Sequence, residues 1–451
     1  MPASHHPRRL IWFCQTESVA AQPEVLTRLR DEIGLTTIMP ESPVCHTSGF
    51  AASRELAQAG PFEDWRSRAE AWPGAREGIY PPVAGIISGF DDAPLLRLIE
   101  ACASAGIEVW GHLGLWSYGG EVYPEHALCD LDGQPLDRHY QRWGIGLCPS
   151  RPAVNDWTRD CLVHVVRHYG VDGICVDHAR YPAPANPHAL LACGCPHCQE
   201  AALELGFAFE SLRQGVGQWL ERVRGLTPDG LHALARARPG LFDLLTWLGD
   251  DEVLLEWLEF RARLLARRME EFHQAVRGAS GQVRVFGSDV FPPSVALLGG
   301  HLYEEWERGA DFLTGGASFG GVVGWATCVP SLAAEWARAL LCAVPEAAEA
   351  DALALVWRLF GYDDLPVPRT LAELQAGPLP LEEIYAREVD RLRAGASGAI
   401  PLYPPVTATG SPEQVRRLCQ AVVDNRCDGA MLNLDLARTE SLAVVGQLLG
   451  G

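Results

Sequence analysis

The chain carries little positive charge. Its 451 residues include 37 lysines and arginines against 57 aspartates and glutamates, which gives a formal net charge of −20 at pH 7. A polyanion such as DNA would be repelled, because phosphate binding requires clustered basic side chains. The composition therefore argues against a nucleic acid partner. It leaves neutral polymers, sugars and cations open, and it does not address the oligomeric state.

Long hydrophobic runs are also missing. No stretch approaches the roughly 20 apolar residues that a membrane-spanning helix needs. No secretory signal is visible either, since Met1–Arg9 is polar and the apolar run Leu10–Cys14 is too short for its hydrophobic part. We therefore expect a cytoplasmic protein with no membrane partner, whose 14 scattered cysteines are mainly thiols and not disulfides.

What the chain does contain is a repeated alternation of short apolar strands and amphipathic helices, which predicts a parallel sheet. About eight such units predict an α/β fold of the closed (β/α)8 barrel type, formed by a single domain over residues 1–451. Two largely helical insertions are expected, after strand four at 181–280 and after strand six at 329–397. The predicted strands are Arg9–Gln15, Thr36–Glu41, Glu108–Trp116, Gly173–Asp177, Val283–Asp289, Phe312–Ala317, Ala399–Tyr403 and Gly429–Asp435.

The clearest local signal is the end of the fourth predicted strand, where Asp177 is followed by His178 and Arg180. In a (β/α)8 barrel the active site lies at the C-terminal ends of the strands. A buried carboxylate is costly to ionise unless it is paired, and Arg180 is the natural partner that would hold the pKa of Asp177 down. A purely structural ion pair is the alternative, but the strand-end position favours a catalytic role for Asp177.

This stretch also resembles a known motif. Residues 171–182 read V-D-G-I-C-V-D-H-A-R-Y-P, and residues 193–198 read C-G-C-P-H-C. Together they resemble the strand-four motif of bacterial glycoside-hydrolase-like (β/α)8 barrel families, in some of which a C-x-C-x-x-C follows. The resemblance covers residues 9–318 in pattern. It implies a barrel in which Asp177 matches the strand-four aspartate, the usual candidate for catalysis. The sequence departs from the pattern at Gly315–Ser318, where strand six would end in Met-x-Tyr.

Glycoside hydrolysis needs two carboxylates that flank the scissile bond. In amylase-type barrels the nucleophile ends strand four and the acid/base ends strand five, and these positions correspond here to Asp177 and Asp289. Our hypothesis is a glycoside hydrolase of an oligosaccharide or glycoconjugate, with Asp177 as nucleophile and Asp289 as general acid/base. A cap for the following turn is an equal alternative for Asp289. Glu41 and Glu17 are the reserve candidates for the acid.

Other polar and aromatic residues near the predicted strand ends are candidates for binding the sugar. Aromatic rings stack on pyranose faces, although they also simply pack loops onto a barrel. His112 is explained equally well as a hydrogen-bonded core histidine. The candidates are Glu41, His112, Trp116, Tyr118, Trp143, His178, Arg180, Tyr181, Tyr403 and Asn433.

Three cysteines in the C-x-C-x-x-C spacing, Cys193, Cys195 and Cys198, are close enough in sequence to share one metal ion. Zinc usually takes four ligands, so a fourth is needed. The cluster is interpreted either as a structural zinc site or as free or oxidised thiols, and the hydrolysis itself requires no cofactor. The candidates for the fourth ligand are His197, Cys148 and Cys129.

Two other functional classes remain open. One is a non-catalytic carbohydrate-binding barrel, which would bind without turnover and be unaffected by Asp177→Asn. The other is a metal-dependent hydrolase of another bond type, whose activity would be sensitive to chelators. A nucleotide-binding enzyme is disfavoured, because the sequence has no G-x-x-x-x-G-K-[ST] motif.

Overall fold

The fold is described from a computed structural model of the chain. The description covers residues 8–41, 92–116, 119–137, 139, 145–177, 179–185, 187–237, 252–279, 285–315 and 329–450.

Nine parallel strands form one sheet, in the order β7-β6-β5-β4-β3-β2-β1-β9-β8. Consecutive strands in this order are joined by parallel ladders, which is the arrangement that strand–helix alternation predicts. The strands are β1 Arg9–Gln15, β2 Thr37–Glu41, β3 Glu108–Gly114, β4 Gly173–Asp177, β5 Val285–Val290, β6 Phe312–Gly315, β7 Leu402–Tyr403, β8 Pro405–Ala408 and β9 Gly429–Leu434.

The two strands at the ends of this order are halves of one interrupted strand, and they close the sheet into a barrel. Only Pro404, which has no backbone N–H to donate, separates β7 from β8. β7 pairs with β6, whereas β8 pairs with β9. The backbone N–H of Asp428 also donates to the carbonyl of Leu402 at 3.1 Å, which ties β7 to the start of β9. The protein is therefore an eight-stranded (β/α)8 barrel, as the sequence predicts.

The predicted ends of strands three, five and eight differ from the structure by one or two residues, and the predicted end of strand seven differs most. The seventh barrel strand does not end at Tyr403, because β8 continues it to Ala408. Pro404 interrupts the hydrogen-bond ladder. A proline in this place is typical of a strand boundary, which is why the sequence predicts an end there. The fifth strand extends one residue past Asp289, to Val290.

Side chains that alternate along the strands fill the inside of the barrel. The indole of Trp110 stacks on Phe312 with ring centroids 4.4 Å apart, and the ring of Tyr403 lies 5.7 Å from that of Phe312. Because strand side chains alternate with a period of two, residues two positions beyond this layer point into the barrel mouth. The interior layer consists of Ile11, Met39, Trp110, Cys175, Phe312, Tyr403 and Met431.

Helices surround the sheet and bury their apolar faces against it. Among the helices of the described residues, none is both long and apolar enough to cross a membrane. The helices are α1 Thr16–Ala21, α2 Glu24–Ile33, α3 Ala93–Ala105, α4 Pro152–Tyr169, α5 Pro196–Glu204, α6 Phe209–Arg224, α7 Pro228–Arg236, α8 Glu252–Ala279, α9 Ala296–Gly299, α10 Tyr303–Trp306, α11 Val329–Ala343, α12 Glu349–Leu359, α13 Leu371–Ala376, α14 Leu381–Gly395, α15 Pro412–Asp424 and α16 Thr439–Leu448.

The helical segments that follow β4 and β6 contact each other. α7, which lies after β4, packs against α12, which lies after β6. The Arg358 guanidinium of α12 donates to the carbonyl of Leu234 at 2.9 Å. The indole N–H of Trp336 on α11 donates to the carbonyl of Pro184 in the loop after β4, at 2.7 Å. The two segments therefore form one connected helical layer.

Candidate active site

Asp177 and Asp289 occupy equivalent positions at the ends of neighbouring strands. Val176 of β4 pairs with Ser288 of β5, so the register brings the next residue of each strand side by side. Neighbouring strands lie about 4.8 Å apart. Asp177 follows the interior residue Cys175 by two positions, so its side chain points into the barrel mouth.

The two carboxylates differ in their surroundings. Burial, and after it the negative charge of Asp177, raise the pKa of Asp289 well above its usual range. The Val290 backbone, the Thr314 hydroxyl and the Arg180 charge lower that pKa, but they do not outweigh burial. Among the described residues none donates a hydrogen bond to Oδ1 of Asp289, which is buried. Asp289 is therefore protonated under conditions where an ordinary aspartate is ionised.

Gly315, at the end of β6, makes room for this carboxyl group. A Cβ atom at this position would lie 1.8 Å from Oδ1 of Asp289, and the backbone φ is +68°. Both the close approach and the left-handed conformation require glycine. The departure of Gly315 from the Met-x-Tyr pattern thus has a structural reason, because a larger residue would displace Asp289.

His112 lies directly beside Asp177. Its Nε2 atom is 3.8 Å from Oδ2 of Asp177, and the two side chains are 6% and 18% exposed. The ring of Phe13 on β1 meets the imidazole edge-on, with ring centroids 5.1 Å apart. His112 is therefore within reach of the same carboxylate that the sequence singled out.

Arg180 is buried close to both strand ends. Its guanidinium lies over the ring of Phe291, 5.3 Å from the ring centroid, and donates to the carbonyl of Tyr181 at 3.4 Å. Its positive charge lowers the pKa of Asp289. Arg180 is thus a cation that acts on the buried acid, and its pairing with Asp177 stays a prediction.

His301 joins the loops that follow β4 and β5. Its Nε2 donates to the carbonyl of Ala179 at 3.1 Å, and its Nδ1 accepts from the backbone N–H of Phe291 at 2.9 Å. This pattern fits a neutral imidazole, and burial lowers the pKa of His301 to about 3. The ring also stacks on Phe291. Ala179 and Phe291 lie two residues after Asp177 and Asp289, respectively. His301 therefore acts as a clamp between the two loops that follow these acids.

A second buried group fixes the loop after β5. The fully buried carboxylate of Glu388 on α14 accepts from the backbone N–H of Ser294 at 3.0 Å and from Arg391 at 2.8 Å. The hydroxyl of Tyr362 donates to the same carboxylate. The sequence analysis missed both His301 and Glu388. His301 belongs to no motif that marks a site, and Glu388 resembles any acid on a surface helix.

Trp116 and Tyr181 are packed inside the protein. Trp116 has no exposed surface and its indole N–H donates to Asn155 at 3.2 Å. Tyr181 is also fully buried, beneath the guanidinium of Arg261 at 4.3 Å from the ring centroid. Neither ring offers a face to a sugar, so we do not retain either residue as a substrate contact.

Tyr403 also lies away from the mouth. It belongs to the interior layer. Burial raises the pKa of Tyr403 to about 12, although the charge of Arg9 at the start of β1 acts to lower it. Asn433, in contrast, lines a cleft at the C-terminal end of β9. Only the backbone of Glu41 is described, at the end of β2 opposite Gln15. Three other candidates lie outside the described residues: Tyr118, Trp143 and His178.

Four buried cysteines gather beside the loop after β4: Cys148, Cys193, Cys195 and Cys198. Their sulfur atoms all lie within 4.8 Å of one another. The Sγ of Cys148 is 3.6 Å from that of Cys195 and 3.5 Å from that of Cys198. Sulfurs around a tetrahedral zinc with Zn–S bonds of about 2.3 Å would be about 3.8 Å apart. The four thiols could therefore hold a metal ion.

Cys148 supplies the fourth member of the set. His197, one of the other candidates, is partly exposed and faces Glu200, 3.6 Å from its carboxylate. Cys129 lies next to the set, with its Sγ 3.2 Å from that of Cys193, and its backbone N–H donates to the same sulfur at 3.3 Å. N–H donors to sulfur are the kind of outer support that metal-bound thiolates receive.

Comparison with known proteins gives loose structural similarity only. No protein-family model matches the chain, and no curated protein matches it in sequence. The glycoside hydrolase domain of PgaB (BpsB) from Bordetella bronchiseptica is similar at 11% identity and a TM-score of 0.48, over 99% of both chains. The catalytic domain of beta-amylase from Paenibacillus polymyxa is similar at 11% identity and a TM-score of 0.46, over 98% of this chain and 97% of that one.

A third similar structure is a catalytic mutant of Gan42B, a GH42 beta-galactosidase from G. stearothermophilus, at 11% identity and a TM-score of 0.45. The alignment covers 98% of this chain and 56% of that one. At these TM-scores the similarity carries no argument about function, and the assignment of the barrel rests on its strand pairing.

The cysteine set predicts a stoichiometric metal. We expect the purified protein to contain about one zinc ion per chain. Cys198→Ser should lose the metal and unfold at lower urea concentration, because the remaining sulfurs cannot complete a tetrahedral site. Metal analysis with urea unfolding measures both effects. Cys342→Ser is the control, since Cys342 is exposed and lies outside the set. A metal-free wild type, equal in stability to Cys198→Ser, would contradict the prediction.

The clamp at His301 predicts an acid-dependent stability. The folded pKa of about 3 lies below the unfolded value of 6.5, so this contribution is complete above pH 6.5 and is lost progressively as the pH falls toward 3. His301→Phe should lower the free energy of unfolding at neutral pH by about 1–3 kcal/mol, because two backbone groups lose their partners. It should also flatten the loss of stability below pH 6.5. Urea unfolding across pH measures both, with the exposed His232→Phe as control. An unchanged pH dependence would exclude the clamp.

Proposed function

We propose that this protein is a glycoside hydrolase whose catalytic pair is Asp177 and Asp289. The observation that carries the proposal is the pairing of β4 with β5, which puts two carboxyl groups at adjacent strand ends on a barrel's C-terminal face. Burial and the Asp177 charge raise the pKa of one of them, Asp289. Carboxyl pairs whose environments separate their pKa values are the usual means of supplying an acid and a base in one site. Glycoside hydrolysis needs this pair.

In the proposed first step, Asp289 protonates the leaving oxygen while Asp177 attacks the anomeric carbon. The C–O bond to the leaving group breaks, and a covalent glycosyl–Asp177 ester forms. The ester removes the negative charge of Asp177, which is one of the two causes that raise the pKa of Asp289. The pKa of Asp289 therefore falls at the stage when it must act as a base. In the second step Asp289 accepts a proton from water, and the water oxygen displaces Asp177 from the anomeric carbon.

His112 supports this assignment of roles. Its Nε2 lies 3.8 Å from Oδ2 of Asp177, and positive charge that develops on the imidazole would stabilise negative charge on that carboxylate. A carboxylate stabilised in this way stays available as nucleophile while Asp289 holds the proton. Neither role requires a metal ion. The four clustered cysteines would fill all four positions of a zinc ion, which is the arrangement of structural and not catalytic zinc.

The proposal predicts the outcome of two matched substitutions. Asp177→Asn and Asp289→Asn should each lower kcat/KM on aryl glycosides or oligosaccharides by at least about 100-fold, because each removes one half of the acid/base chemistry. Hydrolysis of a broad panel of such glycosides by the wild type and both variants measures this. Asp160→Asn, at an exposed carboxylate on α4, should leave turnover unchanged.

Each result of this experiment is informative. Retained turnover in Asp177→Asn would remove Asp177 from the chemistry. Binding of sugars without turnover in the wild type would favour a non-catalytic carbohydrate-binding barrel instead. Activity that is abolished by a chelator while both carboxylate variants stay active would favour a metal-dependent hydrolase.

The strand register also predicts the stereochemistry. Retaining glycosidases have carboxyl groups about 5–5.5 Å apart, and inverting enzymes about 6.5–9.5 Å apart. The backbones of paired positions on adjacent parallel strands lie about 4.8 Å apart, and side chains that leave them on the same face favour the shorter range. We expect the first product to keep the anomeric configuration of the substrate, as followed by proton NMR during hydrolysis. Formation of the opposite anomer first would show that water, not Asp177, attacks.

A further inference from the structure

A cleft opens beside the candidate active site, between the C-terminal ends of β1 and β9. Its volume is about 440 Å³, within the range of small-molecule sites. Both strands end on the same face of the barrel as Asp177, because all strands are parallel. The described residues that line the cleft include Trp12, Phe13, Gln15, Gln22, Asn433 and Leu436.

Two side chains connect this cleft to Asp177. Phe13 lines the cleft and lies against His112, with ring centroids 5.1 Å apart. His112 in turn lies 3.8 Å from Asp177. Asn433 follows the interior residue Met431 by two positions, so it faces the mouth from the other wall. The cleft is therefore connected to the proposed point of cleavage through two side chains in contact, Phe13 and His112.

The lining has the chemistry of a site for an uncharged sugar. Among the described residues around the cleft, none carries a charge, in a protein whose net charge is −20. The polar groups present are mainly side-chain amides, from Gln15, Gln22 and Asn433, and they can both donate to and accept from hydroxyl groups. The partly exposed ring of Phe13 lies beside them, whereas Trp12 is buried and lines only the base of the cleft. Recognition of a carboxylate, sulfate or ammonium group on a sugar would require an opposite charge, which this lining does not supply.

We propose that this cleft is a binding subsite for a neutral pyranose unit of the substrate, next to the unit that is cleaved. The inference rests on the proposed glycosidase function for its biological meaning, but the cleft can bind a sugar whether or not the carboxylates hydrolyse one. It narrows the substrate class to oligosaccharides of at least two units, with an uncharged unit in this position.

Binding to a chain that cannot turn over its ligand tests the proposal. The protein is Asp177→Asn, and the probes are neutral hexasaccharides of glucose, galactose, mannose and xylose, with oligogalacturonate and oligoglucosamine as charged counterparts. Isothermal titration calorimetry should detect at least one neutral probe at millimolar concentration, and it should bind more tightly than either charged probe. Adding Gln22→Ala or Asn433→Ala should weaken binding roughly twofold to tenfold, the effect of losing one neutral hydrogen bond.

The controls separate this proposal from that of the function. Gln22 is exposed, so its variant tests the cleft without a risk to folding. Gln420→Ala, at an exposed glutamine on α15, should leave affinity unchanged. Tighter binding of a charged probe, affinity insensitive to both cleft variants, or no binding of any neutral probe would overturn the subsite. Binding that depends on the cleft, together with a wild type that hydrolyses nothing, would retain the subsite and reject the glycosidase.

Discussion

The parallel pairing of β4 with β5 holds Asp177 and Asp289 side by side, and a charge on either one raises the free energy of ionising the other. Their register follows from the pairing of Val176 with Ser288 one residue earlier. Two adjacent carboxyl groups in a partly buried mouth cannot both be ionised at low cost, so one of them keeps its proton. We assign that proton to Asp289, because burial and the Asp177 charge raise its pKa and one of its oxygens lacks a hydrogen bond among the described residues.

The surrounding structure maintains this arrangement from several sides. His301 joins the backbone of the two loops that carry the acids, and Glu388 fixes the loop after β5 from the helix α14. The cysteine set joins the chain before α4, through Cys148, to the chain after β4, through Cys198. A metal ion held there would fix two loops on the active face without taking part in the chemistry. Gly315 leaves the space that the Asp289 carboxyl group occupies.

The barrel and the two strand-end aspartates could be predicted because both depend on local patterns. Short apolar runs that alternate with amphipathic helices specify parallel strands, and a strand that ends in an acid places that acid on the active face. Other features depend on partners that are distant in sequence. Pro404 interrupts one barrel strand, so the sequence predicts a strand end where the strand continues. Trp116 and Tyr181 resemble sugar-stacking residues in sequence, but both are fully buried in the fold. His301 and Glu388 contact groups 122 and 94 residues away, so no local pattern marks them.

The protonation state of Asp289 tests the central claim most directly. Infrared difference spectra between the wild type and Asp289→Asn, recorded across pH, report the carbonyl stretch of a protonated carboxyl group. We expect that band to persist at pH values where an ordinary aspartate is ionised, and we expect the pKa of Asp289 to fall in the Asp177→Asn background because the neighbouring charge is gone. An Asp289 that ionises near pH 4, or whose pKa is the same with and without Asp177, would contradict the coupling on which the proposed mechanism depends.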